Sequence, residues 1–261
     1  MVPIFCIVSL GRSKGKTALL EWLTRKLSKQ GINVATIKHS TKGFDTEDKD
    51  TWRHLEAGAV EVVFVSPKEL ITLRRFGGSL VDALGAFHVD PDLILVEGFK
   101  GAPYPKILCV DNRQEVIEAS KSIQNIIAVT GEVDGDEVSS LGMKFMNRDE
   151  VCDLLRGAVI DYWLKLIPGF NCGRCSYRSC EGLAKAIRSG AATIRECSMR
   201  SALTARLRLD AVEVPLGPWP QRLLRELLMA FVRSLKLKEV DVSNVRKMVV
   251  EIDLKAEGDK G

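Results

Sequence analysis

The sequence opens with a stretch whose residue types can bind phosphate. An apolar run from Ile4 ends in a short loop, and the triplet Gly15-Lys16-Thr17 follows it. A loop that joins a strand to a helix points backbone N–H groups at an anion, while a Lys reaches the β- and γ-phosphate oxygens and a Thr hydroxyl ligates magnesium. We therefore predict a phosphate-binding loop. The residues predicted to contact nucleotide or magnesium are Gly11, Arg12, Ser13, Lys14, Gly15, Lys16, Thr17 and Ala18.

The spacing within this loop differs from the usual phosphate-loop pattern at one place. The first Gly of that pattern falls on Leu10 in this sequence, and Gly11 comes one residue late. The alternative interpretation is an ordinary strand, turn and helix that contain Gly-Lys-Thr by chance. The position of the triplet, directly before a helix-type pattern, favours the loop.

Glu97 is a candidate catalytic residue because it ends a continuous apolar run that starts at Asp92. In phosphate-loop proteins such a carboxylate holds magnesium through water or orients the attacking water, and a following Gly, here Gly98, lets the backbone approach the γ-phosphate. Lys38 and His39 end another apolar run, and open α/β sheets bind ligands at the carboxyl ends of their strands. We predict that these residues face the ligand. The alternative for Glu97 is a solvated residue at the end of a strand.

Four cysteines have a spacing that is typical of a metal centre. They are Cys172, Cys175, Cys180 and Cys197. Three thiolates close in sequence and a distant fourth converge on one centre if the intervening helix doubles back. Zinc ribbons usually present two Cys-x2-Cys pairs, so the single pair here favours a cubane iron–sulfur cluster, with structural zinc as the alternative. The other three cysteines, Cys6, Cys109 and Cys152, lie in apolar segments and are predicted to be small core residues.

The composition predicts a two-domain cytoplasmic protein. At 261 residues, with 46% apolar and 28% charged residues, the chain can bury a sizeable core. Its seven cysteines come without a signal peptide pattern, which argues against a disulfide framework, and no apolar run is long enough to span a bilayer. The net charge of +4 fits anionic small ligands as well as nucleic acid.

The C-terminal part is basic, with ten Lys and Arg against five Asp and Glu between Arg200 and Met248. A solvated basic face is the first interpretation, and an acidic protein partner or an anionic ligand is the second. Few aromatic residues are interleaved with the basic ones, which argues against nucleic acid as a partner.

Periodicity predicts alternating strands and helices, with a parallel β-α-β unit at the start. The predicted helices cover residues 16–30, 52–58, 80–87, 149–167, 181–189 and 219–235. The predicted strands begin with the run from Ile4 and continue at 33–38, 61–65, 92–98, 106–110, 125–129, 206–214 and 247–254, and 69–75 is either a strand or a helix turn. A charged loop is predicted over 43–50.

Several short motifs resemble, in this order, the signature of the MobB family. They are Ile37-Lys38-His39, Lys49-Asp50-Thr51 with Arg53, Ala57-Gly58-Ala59, Leu95-Val96-Glu97-Gly98-Phe99-Lys100 and Pro105-Lys106. The resemblance covers about residues 1–130. It implies a GTP-binding adaptor, at most a weak GTPase, that serves a MobA-type guanylyltransferase attaching GMP to molybdopterin. It also implies binding of a molybdopterin-type cofactor and a possible homodimer.

The cysteine segment resembles a second known module. Cys172 to Cys197 is similar to the four-iron four-sulfur module in the large subunit of corrinoid iron–sulfur proteins and in membrane-associated electron-transport subunits. The similarity includes the Ala-x-Ala-Ile-x-x-Gly run at 184–190. One departure is Ser198, which stands where that module usually has Pro.

Together these patterns predict an α/β protein with a P-loop NTPase-like, mostly parallel sheet and flanking helices, plus a small α+β iron–sulfur domain. We place the first domain at residues 1–150 and the second at 151–261. The first hypothesis for function is an adaptor in molybdenum or tungsten pterin cofactor biosynthesis that binds GTP and Mg²⁺. In it, the cluster serves electron transfer, sensing or docking to a molybdenum or tungsten enzyme. The alternatives are a nucleotide-gated electron-transfer or redox-regulatory protein, and a binding protein with structural zinc.

Overall fold

The computed structural model describes residues 1–40, 50–74, 78–87, 89–201, 205, 207–209, 212–214, 216, 218–235 and 248–250. The chain divides into two compact units. The first comprises residues 1–167 and 184–194, and the second comprises 168–183 and 195–261.

The described residues form strands and helices that alternate through the first unit. The strands are β1 Ile4–Val8, β2 Val34–Lys38, β3 Glu61–Val65, β4 Leu70–Arg74, β5 Leu93–Glu97, β6 Lys106–Val110, β7 Ile126–Gly131, β8 Leu207–Leu209 and β9 Val212–Val214. The helices are α1 Lys16–Ser28, α2 Asp50–Glu56, α3 Leu80–Gly85, α4 Arg113–Ser122, α5 Gly135–Ser140, α6 Arg148–Leu166, α7 Cys180–Arg188, α8 Ser198–Ser201 and α9 Pro218–Ser234, with a 3-10 turn at Ile194–Glu196.

A five-stranded sheet, in the order β2-β5-β1-β6-β7, forms the centre of the first unit. Every neighbouring pair in it is parallel. β1 and β6 are buried along their whole length, as expected for a parallel sheet covered on both faces. The α/β fold class with a mostly parallel sheet and flanking helices is confirmed.

Helices α1 and α6 bury one stripe each. In α1 the stripe includes Leu23 and Leu27, and in α6 it is built from apolar residues about one turn apart, such as Leu155 and Val159. Farther along α6, the buried Trp163 donates its indole N–H to Asp92 Oδ1 at 2.8 Å. The other carboxylate oxygen of Asp92 accepts from the backbone N–H of Asn33 at 2.8 Å, so this one buried side chain joins α6 to the β2 end of the sheet.

The β3–β4 hairpin forms a separate two-stranded antiparallel sheet in the first unit. Among the described residues it pairs with no other strand. Within the segment 69–75, predicted as either a strand or a helix turn, residues 70–74 are therefore a strand. In the second unit β8 and β9 form another antiparallel pair.

Three predictions about elements were wrong, incomplete or lie outside the described residues. The prediction of a single strand over 206–214 is wrong, because its described residues form two antiparallel strands, β8 and β9. Helices α4 and α5 were not predicted from the sequence, because they bury few apolar side chains. The loop predicted at 43–50 lies almost wholly outside the described residues. Most of the strand predicted at 247–254 also lies outside the described residues. The described residues 248–250 do not form a strand. Within the described residues, no helix combines the length and apolar character needed to cross a membrane.

Candidate functional site

The connection from β1 to α1 has the backbone of a loop that wraps toward a helix N-terminus. Gly15 caps α1 in a left-handed conformation with φ of 73°, and Lys16 is the first residue of the helix. Ser13 is also left-handed, with φ of 55°. A side chain at Gly15 would find open space but would strain this backbone, so glycine is needed there for its conformation. Arg12 is exposed in the same loop, and Ala18 lies in the first turn of α1.

The Lys16 ammonium lies over this loop. Its Nζ donates to Ser9 Oγ at 2.6 Å and to the carbonyl oxygen of Gly11 at 3.0 Å. Ser9 is buried, and its hydroxyl donates in turn to the Gly11 carbonyl at 2.6 Å. In the described part of the chain these hydrogen bonds join the ammonium to neutral oxygens, so its positive charge can attract an anion at the helix N-terminus.

Thr17 and Glu97 meet across the carboxyl edge of the sheet. The Thr17 hydroxyl donates to Glu97 Oε1 at 3.0 Å. Glu97 ends β5 and is in register with Ile7 of β1, the strand that leads into the loop. A hydroxyl and a carboxylate beside a phosphate site are hard oxygen ligands of the kind that Mg²⁺ takes. The residues present therefore fit a magnesium-bound nucleotide phosphate.

His39 and Gly98 are placed directly beside Glu97. The His39 backbone N–H donates to the Glu97 carbonyl at 3.0 Å, and its ring lies 4.4 Å from the Phe99 ring, centroid to centroid. Gly98 has a φ of 100°, and a Cβ there would lie 3.1 Å from His39 Cβ. Lys38 is in register with Glu97 on the neighbouring strand. The topology thus brings these predicted residues to one edge of the sheet.

Two lysines near the loop make contacts that were not predicted from the sequence. Lys14 Nζ is bound by Asp111 at 2.6 Å and Glu115 at 2.5 Å, and these hydrogen bonds raise the pKa of Lys14. Two carboxylates therefore bind the Lys14 side chain, and its backbone rather than its side chain is available to contact a ligand in the loop. Lys100 Nζ donates to the Leu10 carbonyl at 3.0 Å. Lys100 stands in the Val-Glu-Gly-Phe-Lys motif, which was a signal for this contact.

In the second unit, four cysteines line one pocket. Cys172 and Cys175 lie before α7, Cys180 is its first residue, and Cys197 lies between the 3-10 turn and α8. Cys172 is exposed, Cys175 and Cys180 are half-buried, and Cys197 is buried. Apolar side chains complete the lining, among them Phe170 and others at 168, 183 and 199. A thiol-lined pocket with apolar walls suits an iron–sulfur cluster.

Hydrogen bonds fix the segments that carry these cysteines. Ser198, beside Cys197, donates its hydroxyl to the Arg174 carbonyl at 3.1 Å. The Tyr177 hydroxyl donates to Glu196 Oε2 at 2.8 Å, which raises the pKa of Tyr177. The two ends of the motif are thus tied together on both sides of Cys197.

Within the described part of the chain, no group of three or more His, Cys, Asp or Glu side chains is arranged to hold a single metal ion.

The other three cysteines are buried in the first unit. Burial raises the pKa of Cys6 and Cys152, and it raises the pKa of Cys109 to about 12. Buried thiols of this kind are poor nucleophiles and poor metal ligands. Their placement agrees with the prediction that they are core residues.

Comparison with known proteins identifies both parts of the chain. The family model for MobB, molybdopterin guanine dinucleotide synthesis protein B, matches residues 4–132. The probable molybdopterin-guanine dinucleotide biosynthesis adapter protein of Bacillus subtilis (strain 168) is 33% identical over 132 residues, which cover 49% of this chain and 75% of that protein. The chain belongs to the MobB family. A crystal structure of Bacillus subtilis MobB is 24% identical, covers 60% of this chain and 97% of its own, and superposes with a TM-score of 0.49.

This MobB-family chain also carries a second module. A family model described as "Putative Fe-S cluster" matches residues 167–199, a range that contains all four pocket cysteines. One component of an ion-translocating oxidoreductase complex from Cereibacter sphaeroides is 42% identical over 40 residues, which cover 15% of this chain and 21% of that protein. A segment that matches this iron–sulfur family model therefore follows the MobB part in this chain.

Proposed function

We propose that this chain is a GTP-binding adaptor in molybdenum or tungsten pterin guanine dinucleotide biosynthesis, with an appended four-iron four-sulfur cluster. The observation that carries the nucleotide part is the meeting of Lys16, Thr17 and Glu97 at the carboxyl edge of the parallel sheet. In this proposal residues 1–150 bind the nucleotide, and residues 151–261 carry the cluster and the basic extension. The protein acts in the cytoplasm, where cysteines outside the cluster stay reduced.

Four residues at or beside the loop would have distinct tasks with nucleotide bound. Lys16, which now donates to Ser9 and the Gly11 carbonyl, would bind β- and γ-phosphate oxygens. Thr17 would hold a magnesium ion through the hydroxyl that now donates to Glu97, and the ion would neutralise phosphate charge. Glu97 would hold water around that ion or orient a water toward the γ-phosphate. Lys100, bound to the Leu10 carbonyl, steadies the loop from outside.

The four pocket cysteines hold the cluster, which supplies one-electron chemistry or a redox-sensitive structural element. A second candidate function, nucleotide-gated electron transfer, is favoured by the exposure of Cys172, because an exposed ligand gives a redox partner close access. Pterin binding separates the two, since only the adaptor requires it. Iron, sulfide, nucleotide and pterin analysis of anaerobically purified protein tests both at once. Zinc without iron in that analysis would leave only the structural-zinc alternative.

The partners of the adaptor follow from the same proposal. It binds GTP and a molybdopterin-type cofactor, and it delivers them to a MobA-type guanylyltransferase or to a molybdenum or tungsten enzyme. A second copy of the chain is a further partner, because three apolar side chains on one face of the β3–β4 hairpin are exposed. On that face Val63 is 55% exposed, and Val65 and Leu70 are each 70% exposed.

Replacing Lys16 by Ala should weaken GTP binding by roughly 10- to 150-fold. The physical reason is the loss of a charge-assisted contact to phosphate, which contributes about 1.5–3 kcal/mol. Calorimetry with GTP and magnesium measures the dissociation constant. Lys14→Ala is the matched control, since Asp111 and Glu115 already bind that side chain, and its effect should be much smaller. An unchanged affinity in Lys16→Ala would mean that the loop does not bind phosphate.

A charge on the exposed hairpin face should break the homodimer. In Val65→Glu, a carboxylate replaces an apolar side chain next to its cross-strand partner Leu70, and burying it in an interface is costly. Sedimentation velocity should then show monomer at concentrations at which the wild type is dimeric. Val81→Glu, at an equally exposed valine on α3, is the control and should remain dimeric. Dimers that persist in Val65→Glu would place the interface elsewhere.

A further inference from the structure

Asn171 is bonded twice to the cysteine at the start of α7. Its backbone N–H donates to Cys180 Sγ at 3.4 Å, and its side-chain Oδ1 accepts from the Cys180 backbone N–H at 2.9 Å. The two bonds close a small ring between the residue before Cys172 and the third cysteine of the motif. Asn171 holds a left-handed backbone with φ of 45°, a conformation that Asn tolerates better than most residues.

The side chain of Asn171 acts as an N-terminal cap of α7, although it lies nine residues before Cys180 in the sequence. The first backbone N–H groups of a helix have no partner within the helix. In α7 the hydroxyl of Ser179 accepts from Gly182, and Asn171 accepts from Cys180. The amide of Asn171 thereby fixes the position of the Cys180 backbone relative to its own. This fixed position keeps the second bond, from backbone N–H to sulfur, in place.

A hydrogen bond to a cysteine sulfur changes the reduction potential of the cluster that the sulfur binds. The reduced cluster carries one more negative charge, and a donor interacts more strongly with a more negative acceptor. An N–H aimed at Cys180 Sγ therefore stabilises the reduced state more than the oxidised state. Its presence raises the potential, and its loss lowers it.

We propose that Asn171 is a positioning residue that sets the reduction potential of the iron–sulfur cluster through its backbone N–H to Cys180 Sγ. The inference rests on the proposed function in one respect, namely that the four cysteines bind a cluster. It adds a residue that is not a ligand and gives it a defined effect. A purely structural role, as a cap of α7, would alter cluster loading and stability but would leave the potential where it is.

The test is a redox titration of the full-length, anaerobically reconstituted protein, followed by electron paramagnetic resonance. Asn171→Ala removes the amide and strains the left-handed backbone, so the N–H turns away from the sulfur. We expect the reduced state to lose roughly tenfold in stability relative to the oxidised state, which for a one-electron couple is a fall of about 59 mV. Asn171→Gly keeps the backbone conformation without strain and should shift the potential less.

Ser179→Ala is the matched control because it removes another cap of the same helix without touching a sulfur. Its potential should equal that of the wild type. If Asn171→Ala does not take up iron, the reduction potential of Asn171→Gly alone tests the inference. Resonance Raman spectra of the oxidised protein give a second readout, because losing a hydrogen bond to sulfur should raise an iron–sulfur stretching frequency in both Asn171 variants.

Equal potentials and equal stretching frequencies in wild type and both Asn171 variants, at full iron content, would overturn the inference. So would a shift of the same size in Ser179→Ala. A wild-type protein that takes up no iron would instead overturn the proposed cluster itself, so the two failures are distinct.

Discussion

Replacing Glu97 by Gln should lower any GTP hydrolysis by about 10- to 1000-fold and should change GTP affinity much less. Gln keeps the shape of the side chain and can still accept the Thr17 hydroxyl, as Glu97 Oε1 does at 3.0 Å. It removes only the charge that would hold magnesium-bound water or orient the attacking water. Single-turnover hydrolysis and calorimetry on the same preparations separate the rate from the affinity.

Glu132→Gln is the control for this experiment. Glu132 is exposed and follows β7 at the same edge of the sheet, and its backbone N–H donates to the Val110 carbonyl at 3.1 Å. It should leave hydrolysis unchanged. In a protein that binds GTP without hydrolysing it, Mn²⁺ bound with the nucleotide gives the readout, and Glu97→Gln should weaken Mn²⁺ binding about tenfold. Unchanged hydrolysis and unchanged Mn²⁺ binding would make Glu97 a solvated residue at a strand end.

Replacing Cys197 by Ser removes the cluster and destabilises the second unit. Cys197 is buried in the pocket that the other three cysteines line, so no solvent ligand can easily take its place. Iron content should fall at least about tenfold, and the melting temperature of the unit should fall with it, because metal binding and folding of a small domain are coupled.

Cys152→Ser provides the comparison. Cys152 is buried like Cys197 but lies in α6 of the first unit and is not one of the four cysteines of the motif. Iron content in Cys152→Ser should equal that of the wild type, even if the first unit loses some stability. Wild-type iron in Cys197→Ser would remove the distant thiolate from the site and leave three protein ligands.

The sequence predicted where Lys16, Thr17 and Glu97 lie because their placement follows from topology. Once β1 and β5 are known to be parallel, Glu97 and the loop must lie at one edge, and the Thr17–Glu97 contact follows. Side-chain contacts across long sequence separations could not be predicted in this way. The Lys14–Asp111 ion pair joins residues 97 positions apart and depends on β6 packing next to β1.

The weaker predictions fall where local patterns are ambiguous. The alternation from Leu207 to Val214 fits one strand or a tight hairpin equally well, because both keep the same two-residue period. Helix α4 has only Val116 and Ala119 buried, so its apolar stripe is too thin to stand out. The bond from the Asn171 backbone N–H to Cys180 Sγ could not be predicted, because a backbone N–H is common to nearly all residues and the sequence does not show which one donates to a sulfur.

The buried indole of Trp163 makes the first unit observable by its own fluorescence. Trp163 is 4% exposed and bonded to Asp92, so its emission should lie at short wavelength in the folded chain and move to long wavelength when α6 leaves the sheet. Trp22 and Trp52, also in the first unit, are half-buried, and Trp219, in the second unit, is 70% exposed, so its emission changes little between the two states. Denaturation followed at the blue edge of the emission therefore reports unfolding of the first unit without any label.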